Sequence, residues 1–217
     1  MGLDVAVHHR SSTGAAEETA AQCRQAGVRA VVVGGDLGSA DGCRGVVAGA
    51  AEALGGLEVL VNSAADFTPA SFADTTEEQF DRALAVNLKG PFFCAQAAAP
   101  HMRAAGFGRI VTIADVAGLE PWPRFAAHCA SKAGVVMLTR SLAQELAPSV
   151  TVNAIAPGAV LMPDGASEAA TGRAAGKTVL QRVGSPDDVA GALRYLLEAD
   201  YVTGHTLVVD GGRLVRP

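Results

Sequence analysis

The chain reads as an α/β protein: a doubly wound, mostly parallel sheet with helices on both faces. Strand-like and helix-like segments alternate from the first residues onward, and the strand-like ones are continuously apolar, as strands buried on both faces must be. Capping residues or glycines stand at most of the junctions between them. Of 217 residues, 49% are hydrophobic and 18% charged, which excludes a disordered chain. No internal repeat, linker or break in composition divides residues 1–217, so one domain is expected.

Leu3 to His8 forms the first strand, where β-branched residues cluster and no helical period fits. Thr13 to Gln25 is rich in Ala, Glu and Gln and ends near Gly27, a helix closed by a residue free to take positive φ. Ala30 to Val33 is the second strand, and Ser39 caps a helix that runs to Leu54 and stops at Gly55-Gly56. Leu57 to Val61 is the third strand. Thr75-Thr76-Glu77-Glu78 has a hydroxyl followed three residues later by a carboxylate, opening a long helix that bends or pauses near Gly90-Pro91 and continues towards Ala104. Arg109 to Ile113 is a strand, Phe125 to Leu146 an Ala-rich helix, and Val150 to Ile155 a strand. Ser185-Pro186-Asp187-Asp188 starts a helix to about Glu198, and Thr206 to Val209 is the last strand.

A net charge of −5 argues against nucleic acid or anionic membrane as a partner. No apolar run is long enough to span a bilayer, and Met1-Gly2-Leu3-Asp4 lacks the order of a signal peptide. Cys23, Cys43, Cys94 and Cys129 are widely spaced without a C-x-x-C pair, as expected of free thiols in a reducing cytoplasm. Ligands of parallel sheets bind beyond the carboxyl ends of the strands. There stand Arg10 and Ser11, whose guanidinium and hydroxyl suit a phosphate as well as a solvated loop. Asp36-Leu37, Asn62-Ser63-Ala64, Asp115 and Pro157-Gly158-Ala159-Val160 follow at later strand ends; their small residues allow a ligand close to the backbone, or simply a tight turn. Trp122 lies in the loop between Asp115 and His128, either lining a pocket or exposed.

In their order these segments resemble the short-chain dehydrogenase/reductase family over essentially the whole chain. Asn62-Ser63-Ala64-Ala65 is similar to the family's N-N-A-G turn, and Val86-Asn87-Leu88-Lys89-Gly90 to the segment carrying its catalytic asparagine. Ile110 to Gly118 resembles the strand ending in the catalytic serine, and His128-Cys129-Ala130-Ser131-Lys132 stands where the family has Tyr-x-x-x-Lys. Val152 to Gly158 is similar to V-N-x-I-x-P-G, and Tyr201 to Gly204 with Val209 to Gly212 to the closing signature. The His9-Arg10-Ser11 turn resembles NADP(H)-preferring members, including pteridine reductases and acyl-carrier-protein ketoreductases; Asp115 at the serine position also resembles the pteridine reductases.

The resemblance implies a Rossmann-like fold, NADP(H) as cofactor and a carbonyl or pterin-like small molecule as substrate. It implies a homodimer or homotetramer built on the two long helices. It implies that Asn87, Asp115, His128 and Lys132 handle the proton. Cofactor contacts fall to Arg10, Ser11, Asp36, Leu37, Asn62, Ser63, Ala64, Lys132, Pro157, Gly158 and Val160.

Three departures qualify it. The family's first strand, Gly-rich phosphate loop and first helix have no counterpart, a βα step of roughly thirty residues. That strand is central in the family's sheet. Either the sheet closes up differently, a partner chain covers the gap, or the start lies downstream of the native one, an internal methionine being the most economical explanation. The tyrosine is replaced by His128 and the serine by Asp115, which together form a plausible acid/base dyad. Three readings follow: an NADP(H)-dependent oxidoreductase, a cofactor-independent acid/base enzyme, or a non-catalytic relative retained for assembly. The small-residue segment Met162 to Thr178 stands where the family carries its substrate lid, and mobility is expected of it.

Overall fold

In the computed structural model, which describes residues 1–162 and 165–216, alternation of strands and helices is the rule throughout. Strand β1 (Val5–His9) leads into helix α1 (Thr13–Gln25), and β2 (Ala30–Gly34) into α2 (Ala40–Leu54). Ser39 caps α2 by accepting from the Gly42 N–H, and Gly55 ends it at φ 82°, a conformation open to glycine at little cost. Strand β3 (Val59–Asn62) precedes a long helical run made of α3 (Glu77–Leu84), a π-helical turn (Ala85–Lys89) and α4 (Gly90–Ala105). Then come β4 (Gly108–Ile113), α5 (Ala126–Leu146), β5 (Val150–Pro157), α6 (Glu168–Ala175), α7 (Pro186–Glu198) and β6 (Thr206–Val209).

All pairings are parallel, and helices cover both faces. On β4, Ile110 packs with Met102 and Ala98 of α4, whereas its neighbour Val111 packs with Leu196 of α7. Alternate residues of a strand point to opposite faces, so a strand covered on both sides must be apolar throughout. The sheet is divided, however. β1 pairs with β2 in one two-stranded sheet, and β3, β4, β5 and β6 form a second in that order. The strands do not close up around the missing family strand. β4 and β5 are buried almost throughout, while no residue of β1 or β3 is, and Val61 keeps 38% of its surface exposed.

Three local expectations shift. The capping box uses Thr76 and Gln79, one residue beyond the Thr75 and Glu78 pattern, because the Thr75 hydroxyl donates to the Ser71 carbonyl. The irregularity expected near Gly90-Pro91 takes the form of the π-helical turn directly before it, and the helical run continues through Pro91, whose missing N–H that wider turn accommodates. Within the segment Met162 to Thr178, residues Glu168–Ala175 form a helix capped by Ser167, while Pro163 and Asp164 lie outside the described residues. Among the described residues no helix is long and apolar enough to cross a membrane.

Candidate active site

Strand β4 ends beside the first turns of α5, and the turn after it is built to dock there. The Asp115 carboxylate accepts from the Ala117 N–H at 2.8 Å, capping a short 3-10 turn over Val116–Gly118. A side chain on Gly118 would meet the Lys132 backbone at 2.7 Å, so glycine is what lets this turn press against α5. The result is a distance of 3.3 Å between Asp115 Oδ2 and His128 Nε2. His128 Nδ1 lies 3.3 Å from the Asp66 carbonyl oxygen and 3.4 Å from the Asn87 amide nitrogen.

The π-helical turn supplies the next member. Asn87, 1% exposed, donates from its amide to the Asp66 carbonyl at 2.9 Å and to Ser131 Oγ at 3.0 Å, and accepts from the Asp66 N–H at 2.6 Å. It thereby fixes the Asp66 carbonyl that faces His128. Ser131 in turn donates to the His128 carbonyl at 2.7 Å. Asn87, Asp115, His128 and Lys132 are thus brought together as the sequence suggested. Asp66 and Ser131 complete the network; Asp66 acts through its backbone, which leaves no mark in sequence.

Burial orders the pair. The His128 side chain is 3% exposed and that of Asp115 22%, so the carboxylate is the more solvent-facing member and the imidazole the buried one. What covers His128 is aromatic. Phe67 meets the ring edge-on at 4.8 Å and stacks on Phe125 at 4.5 Å, with Trp122 at 6.4 Å from Phe67. Trp122 is held by a 2.7 Å hydrogen bond from its Nε1 to Glu120 and lies under the Arg213 guanidinium, so it is a packed wall residue. Sequence reasoning singled out Trp122 and missed Phe67 and Phe125. With seven phenylalanines and one tryptophan in 217 residues, Trp122 and Phe125 standing between Asp115 and His128 were the available signal, and Phe67 left none.

Lys132 is 4% exposed, and its ammonium donates to the Ile113 carbonyl at 2.7 Å. Burial pushes its pKa down from 10.5 to about 8, and the nearby Asp115 carboxylate opposes that shift. An ammonium carries three donors, and among the described residues one protein acceptor is within reach, so donors remain for a ligand.

The positions expected to hold a nicotinamide dinucleotide lie at the carboxyl ends of the strands. Arg10, Ser11, Ser63 and Ala64 are exposed. Asp36 is tied to the Gly38 N–H at 3.0 Å and to Arg82 at 3.2 Å, which together hold its carboxyl below the usual range; Arg10 adds a weaker pull. Leu37 packs into the core beside Cys43, and the Asn62 amide donates to Thr112 Oγ1 at 3.2 Å, so these two shape turns. A side chain on Gly158 would meet Asp210 at 3.0 Å; its smallness admits the chain's own closing turn, and Pro157 and Val160 flank it. Donors at Lys132 and the cation at Arg10 fit the ribose and a phosphate of such a dinucleotide. No glycine stands between β1 and α1 before Gly14, so the described residues do not include a Gly-rich cradle for the pyrophosphate. No three His, Cys, Asp or Glu side chains among them are grouped to hold a metal ion.

Parallel strands, an asparagine on a distorted helix and a buried lysine four residues after the acid/base position define a dehydrogenase-type framework, and the comparisons agree. The sequence profile described as Enoyl-(Acyl carrier protein) reductase matches residues 1–213. The chain belongs to the short-chain dehydrogenase/reductase family. It is 35% identical to a short-chain type dehydrogenase/reductase of Picea abies over 98% of this chain and 84% of that protein. It is 37% identical to 3beta-hydroxysteroid dehydrogenase 1 of Eggerthella lenta over 100% and 86% respectively. Among solved structures, the NADPH-dependent 3-quinuclidinone reductase of Rhodotorula rubra superposes with a TM-score of 0.91 at 27% identity, covering 99% of this chain and 83% of that one.

Proposed function

We propose that this protein is an oxidoreductase that transfers hydride between NADP(H) and the carbonyl of a flat, ring-bearing small molecule, pterin-like compounds included. The observation that carries this reading is the Asp115–His128 contact at 3.3 Å, beside Lys132 and under an aromatic wall. The nicotinamide, when bound, supplies or accepts the hydride. The chain's own residues do the rest. Asp115, the more exposed member, is the group that reaches the substrate oxygen. His128 faces the carboxylate with Nε2 and the Asp66 carbonyl with Nδ1, which places the imidazole to relay a proton to Asp115. A carboxyl group can donate only when protonated, so the proton it hands over is returned from the imidazole. Asn87 keeps Asp66 in place, and Lys132 holds ribose hydroxyls. Arg10, with Ser11, favours the 2′-phosphate and so NADP(H) over NAD(H). Phe67, Trp122 and Phe125 offer faces on which a planar ring stacks and from which water is excluded.

The free Cys23, Cys43, Cys94 and Cys129 fit a reducing cytoplasm, where we place the protein. Self-association is assigned to the groove between α4 and α5, a hollow of about 840 Å³ where Phe92 is 37% and Met137 60% exposed beside Leu88 and Phe93. The occupant is a second copy, giving a dimer by sedimentation that Met137→Asp dissociates.

Titration of the protein with NADPH and NADH, followed by nicotinamide fluorescence, tests the cofactor assignment. NADPH is expected to bind more tightly, and Arg10→Ala to erase the preference. Equal binding by both cofactors before the substitution contradicts the assignment. A second reading rests on the same 3.3 Å contact: Asp115 and His128 as a cofactor-independent acid/base pair for dehydration, isomerisation or cyclisation. Turnover without any nicotinamide, lost in His128→Ala, decides for that reading.

A further inference from the structure

Trp122 stands in the loop between β4 and α5, and its neighbours Pro121 and Pro123 are exposed. Packing within the loop therefore does little to fix the indole. A residue far along the chain does it instead. Arg213 donates from Nε to Glu120 Oε1 at 2.6 Å, and the same oxygen accepts from Trp122 Nε1 at 2.7 Å. The guanidinium carbon lies 4.7 Å from the centre of the indole ring. One cation thus covers a face of the tryptophan and neutralises the carboxylate that holds its N–H.

The turn that presents Arg213 is itself tied down. The Asp210 carboxylate accepts from the Gly212 and Leu214 N–H groups, each at 2.8 Å. The Gly211 carbonyl accepts from the Leu180 N–H at 3.0 Å. Stability alone is a weak reason for the pair. The Arg213 and Glu120 side chains are 17% and 28% exposed, so both charges are largely desolvated, and an ion pair so placed contributes little net stability. What it does supply is one fixed arrangement. Here that arrangement holds an aromatic ring perpendicular to the Phe67–Phe125 stack, at interplanar angles of 82° and 79°. Phe67 is half exposed, so the stack keeps aromatic surface free for a ligand, with the indole upright beside it.

We propose that Arg213 is a positioning residue for substrate recognition: through Glu120 it holds Trp122 upright, and the fixed indole makes this pocket a site for planar, fused-ring compounds. The inference rests on reading the aromatic wall as the substrate's place, and it is independent of hydride transfer. Without Arg213 the indole turns about its side-chain bonds, and the corner that matches a flat ring is lost.

Trp122 is the one tryptophan of the chain, so its fluorescence reports on this contact without interference. Acrylamide quenching measures how firmly the indole is held. Ligand-observed NMR measures binding of isatin, a flat bicyclic ketone, with no cofactor present. In Arg213→Ala, quenching is expected to rise about twofold and isatin affinity to fall about tenfold. Arg213→Lys restores a cation without the planar fork and is expected to recover part of both. Glu120→Gln keeps an oxygen for the indole N–H but loses the ion pair, and is expected to fall between the parent and Arg213→Ala. Should Arg213→Ala fail to fold by circular dichroism, the other two variants carry the same comparison. Unchanged quenching in the variants overturns the proposal. So does a loosened Trp122 with undiminished isatin affinity, which reduces the contact to a structural one, or absence of isatin binding by the parent. NADPH oxidation with isatin separates the two readings. Arg213-dependent binding without oxidation supports the inference and counts against hydride transfer, whereas oxidation by Arg213→Ala at the parent's KM overturns the inference alone.

Discussion

Lys132 offers the sharpest test of the site's electrostatics, because its burial makes a signed statement about stability. The unfolded chain holds the Lys132 proton up to an ordinary pKa of 10.5, the folded one only to about 8. Between those values the unfolded state binds more protons, so stability rises with pH across the window. The penalty for the charged form is complete below about pH 8, amounts to about 3 kcal/mol in all, and about 2.5 kcal/mol of it is relieved between pH 7 and pH 10. Buried Cys43 and Cys94 work in the opposite sense. Their thiols are held above the ordinary 9.0, so the unfolded chain ionises first and stability falls as pH rises past that value. The comparison is therefore with Lys132→Met, which keeps the aliphatic stem and both thiols and removes the ammonium. Urea unfolding of both proteins at the two pH values gives the difference. The native protein is expected to gain about 2.5 kcal/mol on the variant from pH 7 to pH 10. A difference that stays constant, or shrinks, refutes the placement of a buried, mostly desolvated ammonium beside Asp115.

Gly118→Ala forces a methyl group to 2.7 Å from the Lys132 backbone, and backbone yields little; a loss of about 1–3 kcal/mol in chemical denaturation is expected, with a fall in any Asp115-dependent activity. Phe67→Ala uncovers the imidazole, so His128 should become reactive to diethyl pyrocarbonate, a change read by peptide mass; unchanged protection shows that Phe67 is not its cover. Ser185→Ala removes the acceptor for the Asp188 N–H and one half of a capping box, costing about 1 kcal/mol by thermal unfolding.

The layered parallel architecture was legible because a strand covered on both faces must be apolar throughout, and Ile110-Val111 shows both neighbours buried against different helices. Caps at Ser39 and Ser185 were legible for an equally local reason, a hydroxyl bonding a backbone N–H three residues on. The shift from Thr75 to Thr76 was not, because either threonine can cap and a contact to Ser71 decides between them. The four residues that meet at the candidate site could be named from their order in the chain. Their relative exposure could not: His128 looks like the reactive member in sequence, and only the aromatic cover and the docking of Gly118 place Asp115 in front of it. Whether the strands pair into one sheet or two depends on packing between elements distant in sequence, which no local pattern records.

The claim on which the functional account rests is that Asp115 and His128 act as one unit. A double-mutant cycle on NADPH-dependent carbonyl reduction, with Asp115→Asn, His128→Ala and both together, measures that directly. Each single substitution is expected to lower kcat by about 10²–10⁴, and the double to be no slower than the worse single. Losses that multiply in the double variant, or a His128→Ala protein as fast as the parent, contradict the account.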